Sequence, residues 1–326
     1  MPTACGESEV AGLPEAVVLF GASGFIGRNI VAALSGKLAL LVGVNASGRP
    51  VAGCDLTVAV GALGQISALP RETAVVNVAA FRYAANRFSG QQADILSVNV
   101  GLTDAVYRFA LDRGIGEVRA ASSAAVYPAD WVVQDDARLL DLNAWPHAGE
   151  VAYAWSKRWG EISAELWHRR AGVNSISLRL TNPYGPYDTL EEAEAHVATA
   201  FVIRALSDVA EFEVRGDPEA ERDFVYAGDV ADAFVASLTL RGVHEALNCA
   251  AGSTTRVRDL ARAAMRAAGR ERPLRTNPPP SGANAGVKVR HATAARLREV
   301  MPSLTPFRSL DAGMRLTTEW YRNALR

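Results

Sequence analysis

A tyrosine and a lysine four residues apart, Tyr153 and Lys157, have the spacing in this chain that best suits acid–base chemistry. Residues at this spacing share one face of a helix. A free tyrosine has a pKa of about 10 and is a poor base at neutral pH, whereas a neighbouring ammonium group favours the phenolate. We therefore expect Tyr153 to take a proton from a substrate hydroxyl or to return one. Ser123 follows an apolar stretch thirty residues earlier and could orient the same substrate oxygen.

A glycine-rich turn near the start of the chain is the second feature with a chemical meaning. In residues 17–28, VVLFGASGFIGR, a short apolar run is followed by three glycines and then by a helix pattern over Ile26–Leu34. Strand, glycine turn and helix form the context of a dinucleotide-binding fingerprint, here with one residue more than the usual spacing. Gly21 permits the sharp turn, Gly24 lets the backbone approach a pyrophosphate, and Gly27 permits close packing of helix on strand. The turn predicts a nucleotide site.

The end of the second predicted strand, Leu38–Val44, indicates which dinucleotide binds. An acidic residue at this place binds ribose hydroxyls, whereas an arginine favours a 2′-phosphate. The chain continues with Asn45, Ser47 and Arg49 and has no acid there, so NADP(H) is slightly favoured over NAD(H). A polar turn with a solvated arginine is the alternative. Besides Tyr153 and Lys157, the further residues expected at the cofactor are Ser23, Phe25, Ile26, Asp55, Leu56, Val78, Ala79, Ala80, Asn99 and Pro183.

The elements that would position these residues alternate along the chain. Predicted strands at Ala74–Val78, Glu117–Ser122 and Asn174–Leu180 are separated by helix patterns, the first of them over Gln92–Gly114. This order predicts the α/β class, with a Rossmann doubly wound parallel sheet. At 326 residues the chain has room for a smaller C-terminal α/β substrate lobe. Asn99 lies inside the long helix, where a structural hydrogen bond and a part in proton relay are equally consistent with the pattern.

Three later segments carry weaker patterns. Residues 181–186 read as an irregular loop, and Glu191–Ser207 reads as a helix that contains His196. A single histidine in such a helix is more often structural than catalytic. Residues 276–286, TNPPPSGANAG, are predicted to be a flexible segment or a lid.

An apolar stripe lies opposite Tyr153 on the same predicted helix. Trp155, Trp159, Ile162 and Leu166 recur at helical spacing. Burial within the chain would explain this stripe. We favour the alternative, a homodimer in which helices over about residues 92–113 and 153–170 meet their copies.

Composition excludes several function classes. The net charge of −1 gives no reason to expect a nucleic acid or a membrane surface as a partner. Three widely spaced cysteines suggest neither a disulfide framework nor a metal cluster, and they fit a reducing, cytoplasmic location. The first basic residue after Met1 is Arg28, so a signal peptide is not expected.

Several motifs, taken together and in order, resemble the extended short-chain dehydrogenase/reductases. Within them, the chain is similar to the NAD-dependent epimerase/dehydratase family that acts on nucleotide sugars. The resemblance runs from about residue 17 to the C-terminus. The motifs that carry it are GASGFIG (21–27), NVAA (77–80), Asn99, SSAAVY (122–127), YAWSK (153–157), RLTNPYGP (179–186), RDFVY (222–226) and ALNCAAG (246–252).

The resemblance implies a division of the chain. Residues 16–181, with about 225–252, would form the NAD(P)-binding Rossmann domain. Residues 182–224 and 253–326 would form the substrate-binding lobe, and residues 1–15 would be a loose N-terminal tail.

The resemblance also implies roles for single residues. Ser123, Tyr153 and Lys157 match the catalytic serine, base and lysine of the family. Asn182 matches an asparagine that contacts the substrate phosphate, and Arg222 matches the arginine of the family's RDF motif. A second phosphate-binding arginine is expected near the C-terminus, where Arg290 or Lys288 stands in a divergent sequence.

Two departures from the family pattern narrow the reaction. The 4,6-dehydratases of the family carry Asp-Glu after the catalytic residue, whereas this chain has Ala124 and Ala125. Residues 184–206 are similar to GDP-fucose synthase, whose epimerising histidine matches His196. The cysteine that partners this histidine corresponds to Ala125, which leaves His196 as a single candidate acid or base.

These features support a nucleotide-sugar 4-epimerase that works through a 4-keto intermediate, with Tyr153 as the acid and base. The alternative is an NADPH-dependent reductase of a nucleoside-diphosphate 4-keto sugar, which uses the same residues. A catalytically silent nucleotide-binding scaffold and a reductase of a non-sugar ketone are weaker alternatives. A nucleoside-diphosphate sugar is the expected substrate in the first two.

Overall fold

A computed structural model describes residues 9–81, 90–277 and 288–326. Its helices are α1 Phe25–Leu34, α2 Gln92–Asp112, α3 Val151–Ala171, α4 Val197–Leu206, α5 Ala227–Ser237, α6 Val257–Ala268, α7 Ala295–Val300 and α8 Leu310–Ala324. Its strands are β1 Glu9–Val10, β2 Ala16–Phe20, β3 Leu40–Asn45, β4 Leu56–Ala59, β5 Thr73–Asn77, β6 Glu117–Ser123, β7 Val133–Gln134, β8 Asn174–Leu180, β9 Asn182–Tyr184, β10 Phe212–Arg215, β11 Glu221–Arg222, β12 Phe224–Tyr226, β13 Leu240–Arg241, β14 Glu245–Cys249, β15 Thr255–Arg256, β16 Leu274–Asn277 and β17 Val289–Ala292.

The main sheet has seven parallel strands in the order β14-β8-β6-β5-β2-β3-β4. The strand order reverses next to β2, the strand that precedes the glycine turn. Such a reversal opens a crevice at the carboxyl ends of the strands, where ligands of doubly wound sheets bind. The predicted Rossmann-type α/β fold is confirmed.

Helices cover both faces of the sheet because the side chains of each central strand alternate between two cores. Val17 and Leu19 of β2 lie in one core with α1 and α5, whereas Val18 and Phe20 lie in the other with α2 and α3. All five residues of β2 are buried, which explains its continuously apolar sequence. Burial of apolar area on both faces fixes α3, and therefore Tyr153, against the sheet.

Smaller sheets and a separate core are formed mainly by residues that follow β8, together with the short strand β7. The strands β15-β11-β17-β7 form one sheet, β10 pairs with β16, and β9 pairs with β12. Helices α4, α6 and α8 surround a third apolar cluster, which contains Phe201, Leu260 and Met314. The boundaries between the two predicted domains stay a prediction.

Two predicted elements differ from the structure. Asn182–Tyr184 is a strand rather than part of an irregular loop, because its backbone pairs in parallel with Phe224–Tyr226, forty residues further along. The predicted helix over Glu191–Ser207 begins only at Val197, and a 3₁₀ turn at Glu192–Glu194 precedes it. His196 is therefore the residue before α4 and not a residue within the helix.

The N-terminal segment is also more ordered than a loose tail over residues 1–15. Glu9–Val10 pairs with Leu240–Arg241, and Leu13 packs against the core of the main sheet. Residues 1–8 and most of the predicted lid at 276–286 lie outside the described residues. Within the described ranges, the helices include none with the length and apolar character needed to cross a membrane.

Candidate active site

Ser123 and Tyr153 meet at the carboxyl end of the central strand β6. Ser123 is the last residue of that strand, and its Oγ accepts a hydrogen bond from the backbone N–H of Ala125 at 3.1 Å. Tyr153 lies in the first turn of α3, and its hydroxyl is hydrogen-bonded to the Ser123 side chain. The sequence prediction that these two residues share a site is consistent with this geometry.

Lys157 lies one helical turn beyond Tyr153, as the spacing predicts. Its Nζ donates to the backbone carbonyl of Ala121 at 2.7 Å and lies 5.7 Å from the centroid of the Tyr153 ring. Burial lowers the pKa of Lys157 to about 8, and the charge of Glu161 opposes this shift. The ammonium group is therefore fixed beside the tyrosine and is easier to deprotonate than an exposed lysine.

The protonation state of Tyr153 differs from the sequence expectation. Burial raises the pKa of Tyr153 to about 12, and the hydrogen bond with Ser123 only partly offsets this increase. Desolvation thus disfavours the phenolate, and the charge of Glu150 disfavours it further. In this geometry Tyr153 is a neutral phenol at pH 7, and its readiest step is to donate its proton.

Asn99 links α2 to this site through a structural hydrogen bond. Its Oδ1 accepts from the backbone N–H of Phe81 at 2.7 Å, and its Nδ2 donates to Ser156 Oγ at 3.1 Å. Ser156 Oγ in turn donates to the Tyr153 carbonyl at 2.7 Å. The structural explanation of Asn99 therefore holds, and its part in proton relay stays a prediction.

Arg179 and Glu161 form a buried ion pair near Lys157 that the sequence analysis did not predict. Arg179 of β8 donates to both carboxylate oxygens of Glu161, at 2.9 and 2.7 Å, and Ser122 Oγ donates to the same carboxylate at 2.5 Å. The side chains of Arg179 and Glu161 are only 6% and 13% exposed. The one available signal was the position of Glu161, four residues beyond Lys157 on the same helix face.

The glycine turn forms a cradle that suits a pyrophosphate. Gly21 has a φ of +85°, and a Cβ there would lie 2.6 Å from the backbone nitrogen of Ala79. A Cβ on Gly27 would lie 2.0 Å from the Gly21 carbonyl oxygen. Gly24 caps α1 without a side chain, and the first turn of α1, all of it described, contains no acidic residue. Its backbone N–H groups and the helix dipole can thus bind an anion, and the residues present fit NAD(P).

The turn after β3 is shaped by Asn45. Its Oδ1 accepts the backbone N–H groups of Ser47 at 3.1 Å and Gly48 at 2.6 Å, and its Nδ2 donates to the Arg49 carbonyl at 2.9 Å. The Asn45 side chain therefore fixes the turn and has little capacity left for a phosphate. The Arg49 side chain is exposed, and no hydrogen bond or ion pair joins its guanidinium to another described residue.

The other predicted cofactor residues lie near the same crevice, except Asp55 and Leu56. These two residues lie at the amino end of β4, beside Leu41 and Val42 of β3, and not at the carboxyl ends of the strands where the crevice opens. Val78 and Ala79 follow β5, which is a neighbour of β2, and the Val78 N–H donates to the Phe20 carbonyl at 3.0 Å. Asp55 Oδ2 accepts the Leu41 N–H at 2.7 Å, so one carboxylate oxygen holds the sheet edge. The remaining residues follow a strand of the sheet, begin α1 or lie in β9, and they are at least partly exposed: Ser23, Phe25, Ile26, Ala80 and Pro183. Their contacts with a cofactor stay predictions.

Two arginines predicted to bind substrate stand side by side. Arg222 of β11 and Arg290 of β17 are directly paired in register. Arg290 Nη1 donates to both carboxylate oxygens of Glu150, at 3.1 and 2.9 Å. Burial and the Arg290 charge lower the pKa of Arg222. Two like charges held together in this way can bind a diphosphate bidentately.

Asn182 and Lys288 contact the backbone near these arginines. Asn182 Nδ2 donates to the Asp223 carbonyl at 2.7 Å, so one amide proton is engaged within the chain. The Lys288 carbonyl accepts the Glu221 N–H at 2.8 Å. The paired arginines make Arg290, rather than Lys288, the better match for the second phosphate-binding residue.

His196 forms a carboxylate–histidine pair with Asp188. Its Nδ1 lies 3.0 Å from Asp188 Oδ2, and the side chain of His196 is 65% exposed whereas that of Asp188 is 3% exposed. Burial raises the pKa of Asp188, but hydrogen bonds from His196 outweigh this effect and hold it below its usual range. The His196 ring lies beside Phe25 of the glycine turn, with 6.2 Å between the ring centroids. Its catalytic role stays a prediction.

Known proteins with similar sequences include members of one enzyme family and two curated relatives. The sequence profile of the NAD dependent epimerase/dehydratase family matches residues 17–250. A dTDP-4-dehydro-6-deoxy-D-allose reductase of a Streptomyces species is 28% identical over 94% of this chain and 96% of its own length. A GDP-L-fucose synthase of Sinorhizobium fredii is 26% identical over 54% of this chain and 57% of its own length.

Solved structures share the fold over nearly the whole chain. The UDP-glucose 4-epimerase of Thermotoga maritima, solved with UDP-glucose, has a TM-score of 0.78 at 22% identity. The match covers 95% of this chain and 100% of that chain. The UDP-glucose 4-epimerase of Thermus thermophilus, solved with NAD, has a TM-score of 0.75 at 23% identity and covers 95% of this chain and 99% of that chain.

Proposed function

The chain belongs to the NAD-dependent epimerase/dehydratase family, and from this premise we propose that it is an NADPH-dependent reductase of a nucleoside-diphosphate 4-keto sugar. The turn after β3 carries the proposal, because it holds an exposed arginine, Arg49, where a carboxylate would bind the ribose of NAD. NADPH is a reductant that is consumed in each turnover. Two Streptomyces reductases of a dTDP-4-keto sugar, which match 94% and 95% of this chain, support the same direction.

The catalytic residues suit reduction of a ketone. The neutral Tyr153 phenol donates its proton to the keto oxygen as charge develops there, and Ser123 Oγ holds the same oxygen in place. Lys157 supplies a fixed positive charge that stabilises the phenolate left after proton donation. When bound at the glycine turn, NADPH supplies the hydride.

The substrate groups are matched by the rest of the site. Arg222 and Arg290 bind the diphosphate, with Asn182 nearby on β9. Ala124 and Ala125 offer no acid or base for elimination of water, so 4,6-dehydration is not supported. The nucleoside base is not assigned by these residues.

A 4-epimerase is the second candidate, and it is the function that the sequence favoured. Ser123, Tyr153 and Lys157 suffice for it as well, because a hydroxyl at C4 is oxidised and then reduced at the same site. It would require a retained cofactor, which the acid-free turn at Arg49 does not favour. Cofactor release therefore separates the two functions.

The test begins with denaturation of the purified protein and mass analysis of any released nucleotide. A reductase should release little dinucleotide, should be stabilised by NADPH more than by NADH, and should oxidise NADPH with a 4-keto-6-deoxy hexose attached to dTDP, UDP or GDP. Retained NAD at about one per chain would overturn the reductase in favour of the epimerase. Binding of a dinucleotide without turnover of any of these sugars would favour the silent nucleotide-binding scaffold.

The Tyr153→Phe variant tests the chemistry. It should lower kcat by about 10²- to 10⁴-fold, because a general acid is lost. Its melting temperature should stay within a few degrees of the wild type, since only one hydrogen bond is removed. Turnover at the wild-type rate would show that Tyr153 is not the proton donor.

We also infer a homodimer through α2 and α3. Trp159 and Leu166 are 37% and 54% exposed, and Leu96 and Val98 of α2 are 39% and 41% exposed. The stripe is thus only partly covered within the chain, which favours association over internal burial. The cytoplasmic location, deduced from the dispersed cysteines, stays a prediction.

A further inference from the structure

A shallow depression lies next to the candidate site. Ala124 and Ala125, which directly follow Ser123, line it together with Trp131, His147 and Arg290. Arg290 is in turn paired in register with Arg222. In a nucleoside-diphosphate sugar, the hexose ring lies between the diphosphate and the carbon that reacts. Because this depression is lined both by residues next to Ser123 and by Arg290, a hexose held between Ser123 and the paired arginines would lie against it.

The walls of this depression are mostly unable to hydrogen-bond a sugar. The alanines have no polar side-chain atoms, and Trp131 is stacked on Tyr127 with 5.6 Å between the ring centroids. The Tyr127 hydroxyl donates to Asn248 Oδ1 at 2.8 Å, and Gln134 Nε2 donates to the Ala124 carbonyl at 3.1 Å. These polar groups already have partners within the chain.

His147 differs from these groups, because the hydrogen bond that its Nδ1 accepts leaves its Nε2–H as a donor. Its Nδ1 accepts the backbone N–H of Gly149 at 3.2 Å and so caps the 3₁₀ turn Ala148–Glu150. A neutral imidazole that accepts at Nδ1 must carry its proton on Nε2. Burial lowers the pKa of His147, and the charges of Arg290 and Arg222 lower it further. The ring is therefore neutral at pH 7 and presents an Nε2–H.

We propose that His147 is a sugar-recognition residue whose Nε2–H donates a hydrogen bond to a ring hydroxyl of the hexose. This inference rests on the proposed function, because it requires a nucleoside-diphosphate sugar in the crevice. It assigns the depression as the hexose subsite, with His147 as its polar contact and Trp131 as its apolar wall.

The experiment must separate hydrogen bonding from the capping role of the same side chain. His147→Asn keeps an oxygen that can accept the Gly149 N–H, since asparagine is a good capping residue, but it is too short to reach the sugar. His147→Ala loses both roles. Calorimetry compares the Kd of dTDP, UDP and GDP with the Kd of their glucose esters, in the wild type and in both variants. Arg290→Gln serves as the control for the diphosphate contact.

For the nucleotide that the wild type binds, His147→Asn should weaken the glucose ester by about 3- to 10-fold, the worth of one hydrogen bond. It should leave the nucleoside diphosphate unchanged, whereas Arg290→Gln should weaken both. Equal Kd values for the ester in His147→Asn and the wild type would overturn the assignment, as would equal weakening of ester and nucleoside diphosphate. If the wild type binds neither compound for any base, the proposed function itself fails, and this inference with it.

Discussion

Replacement of Glu161 by glutamine should destabilise the protein strongly, because it leaves a buried arginine without its counter-charge. The Arg179 Nη2 and the Glu161 Oε2 are 2.7 Å apart, and neither side chain is more than 13% exposed. Loss of one partner from a buried ion pair costs about 3–5 kcal/mol. Glutamine keeps one acceptor oxygen for Arg179, so we expect a loss near the lower end, about 3 kcal/mol.

Urea denaturation of the wild type and of Glu161→Gln gives the free energy of unfolding directly. A loss of this size corresponds to a decrease in Tm of about 6–12 °C for a domain of 150–250 residues, and somewhat less for a longer chain. The control is the double variant Glu161→Leu with Arg179→Met, which removes both charges together. It should lose much less stability than the single variants Glu161→Leu and Arg179→Met lose in sum, because no buried charge is left unpaired. The Tyr127 hydroxyl would keep its bond to Asn248.

Two results would refute this reasoning. The first is a loss below about 1 kcal/mol for Glu161→Gln, which is the range of exposed ion pairs. The second is a double variant Glu161→Leu with Arg179→Met whose loss in the free energy of unfolding equals the summed losses of those two single variants. A kinetic consequence is also expected: Glu161 raises the pKa of Lys157 against the effect of burial, so Glu161→Gln should move the alkaline limb of kcat/KM to lower pH.

The pKa of Lys157 is about 8 in the folded protein and 10.5 in the free side chain, which predicts opposite trends for activity and stability. As pH rises from about 8 to 10.5, kcat/KM should fall because the ammonium group is lost. Over the same range the free energy of unfolding should rise, because the unfolded chain binds more protons than the folded one; activity and stability that change in the same direction in a pH series would contradict this. Arg49→Ala should raise the KM for NADPH by about tenfold or more, the worth of a charged hydrogen bond, and leave the KM for NADH unchanged; equal changes in steady-state kinetics would mean that Arg49 does not contact the 2′-phosphate. Leu166→Glu should yield monomers in light scattering, because a charge would be buried in the helix interface, whereas Leu325→Glu, at a similarly exposed leucine outside that interface, should remain dimeric; a dimeric Leu166→Glu would place the interface elsewhere.

Local patterns in the sequence were sufficient for the central sheet and for the placement of Tyr153 and Lys157 one turn apart on the same helix. The strand before the glycine turn is continuously apolar because both of its faces are buried, and this can be read from five consecutive residues. Tyr153 and Lys157 are brought together by helical periodicity alone. Gly27 is required by its close contact with the Gly21 carbonyl oxygen, six residues earlier in the chain. In each case, the pattern that indicates the structure lies within a short stretch of chain.

Features that depend on distant partners were decided by the tertiary structure. Asn182–Tyr184 is a strand only because it pairs with residues forty positions away, and no periodicity in the segment itself indicates this. The raised pKa of Tyr153 follows mainly from burial, and the extent of burial cannot be read from the spacing of Tyr153 and Lys157.

His147 shows the same limit at the level of a single side chain. Its spacing to other residues suggests no chemistry. Its tautomer is fixed by the N–H of Gly149 two residues away, and its pKa is lowered by burial and by arginines far along the chain. Sequence periodicity determines which residues share a face of an element. Desolvation and the charges of residues from other elements determine what those residues can do, and both arise only when the chain is packed.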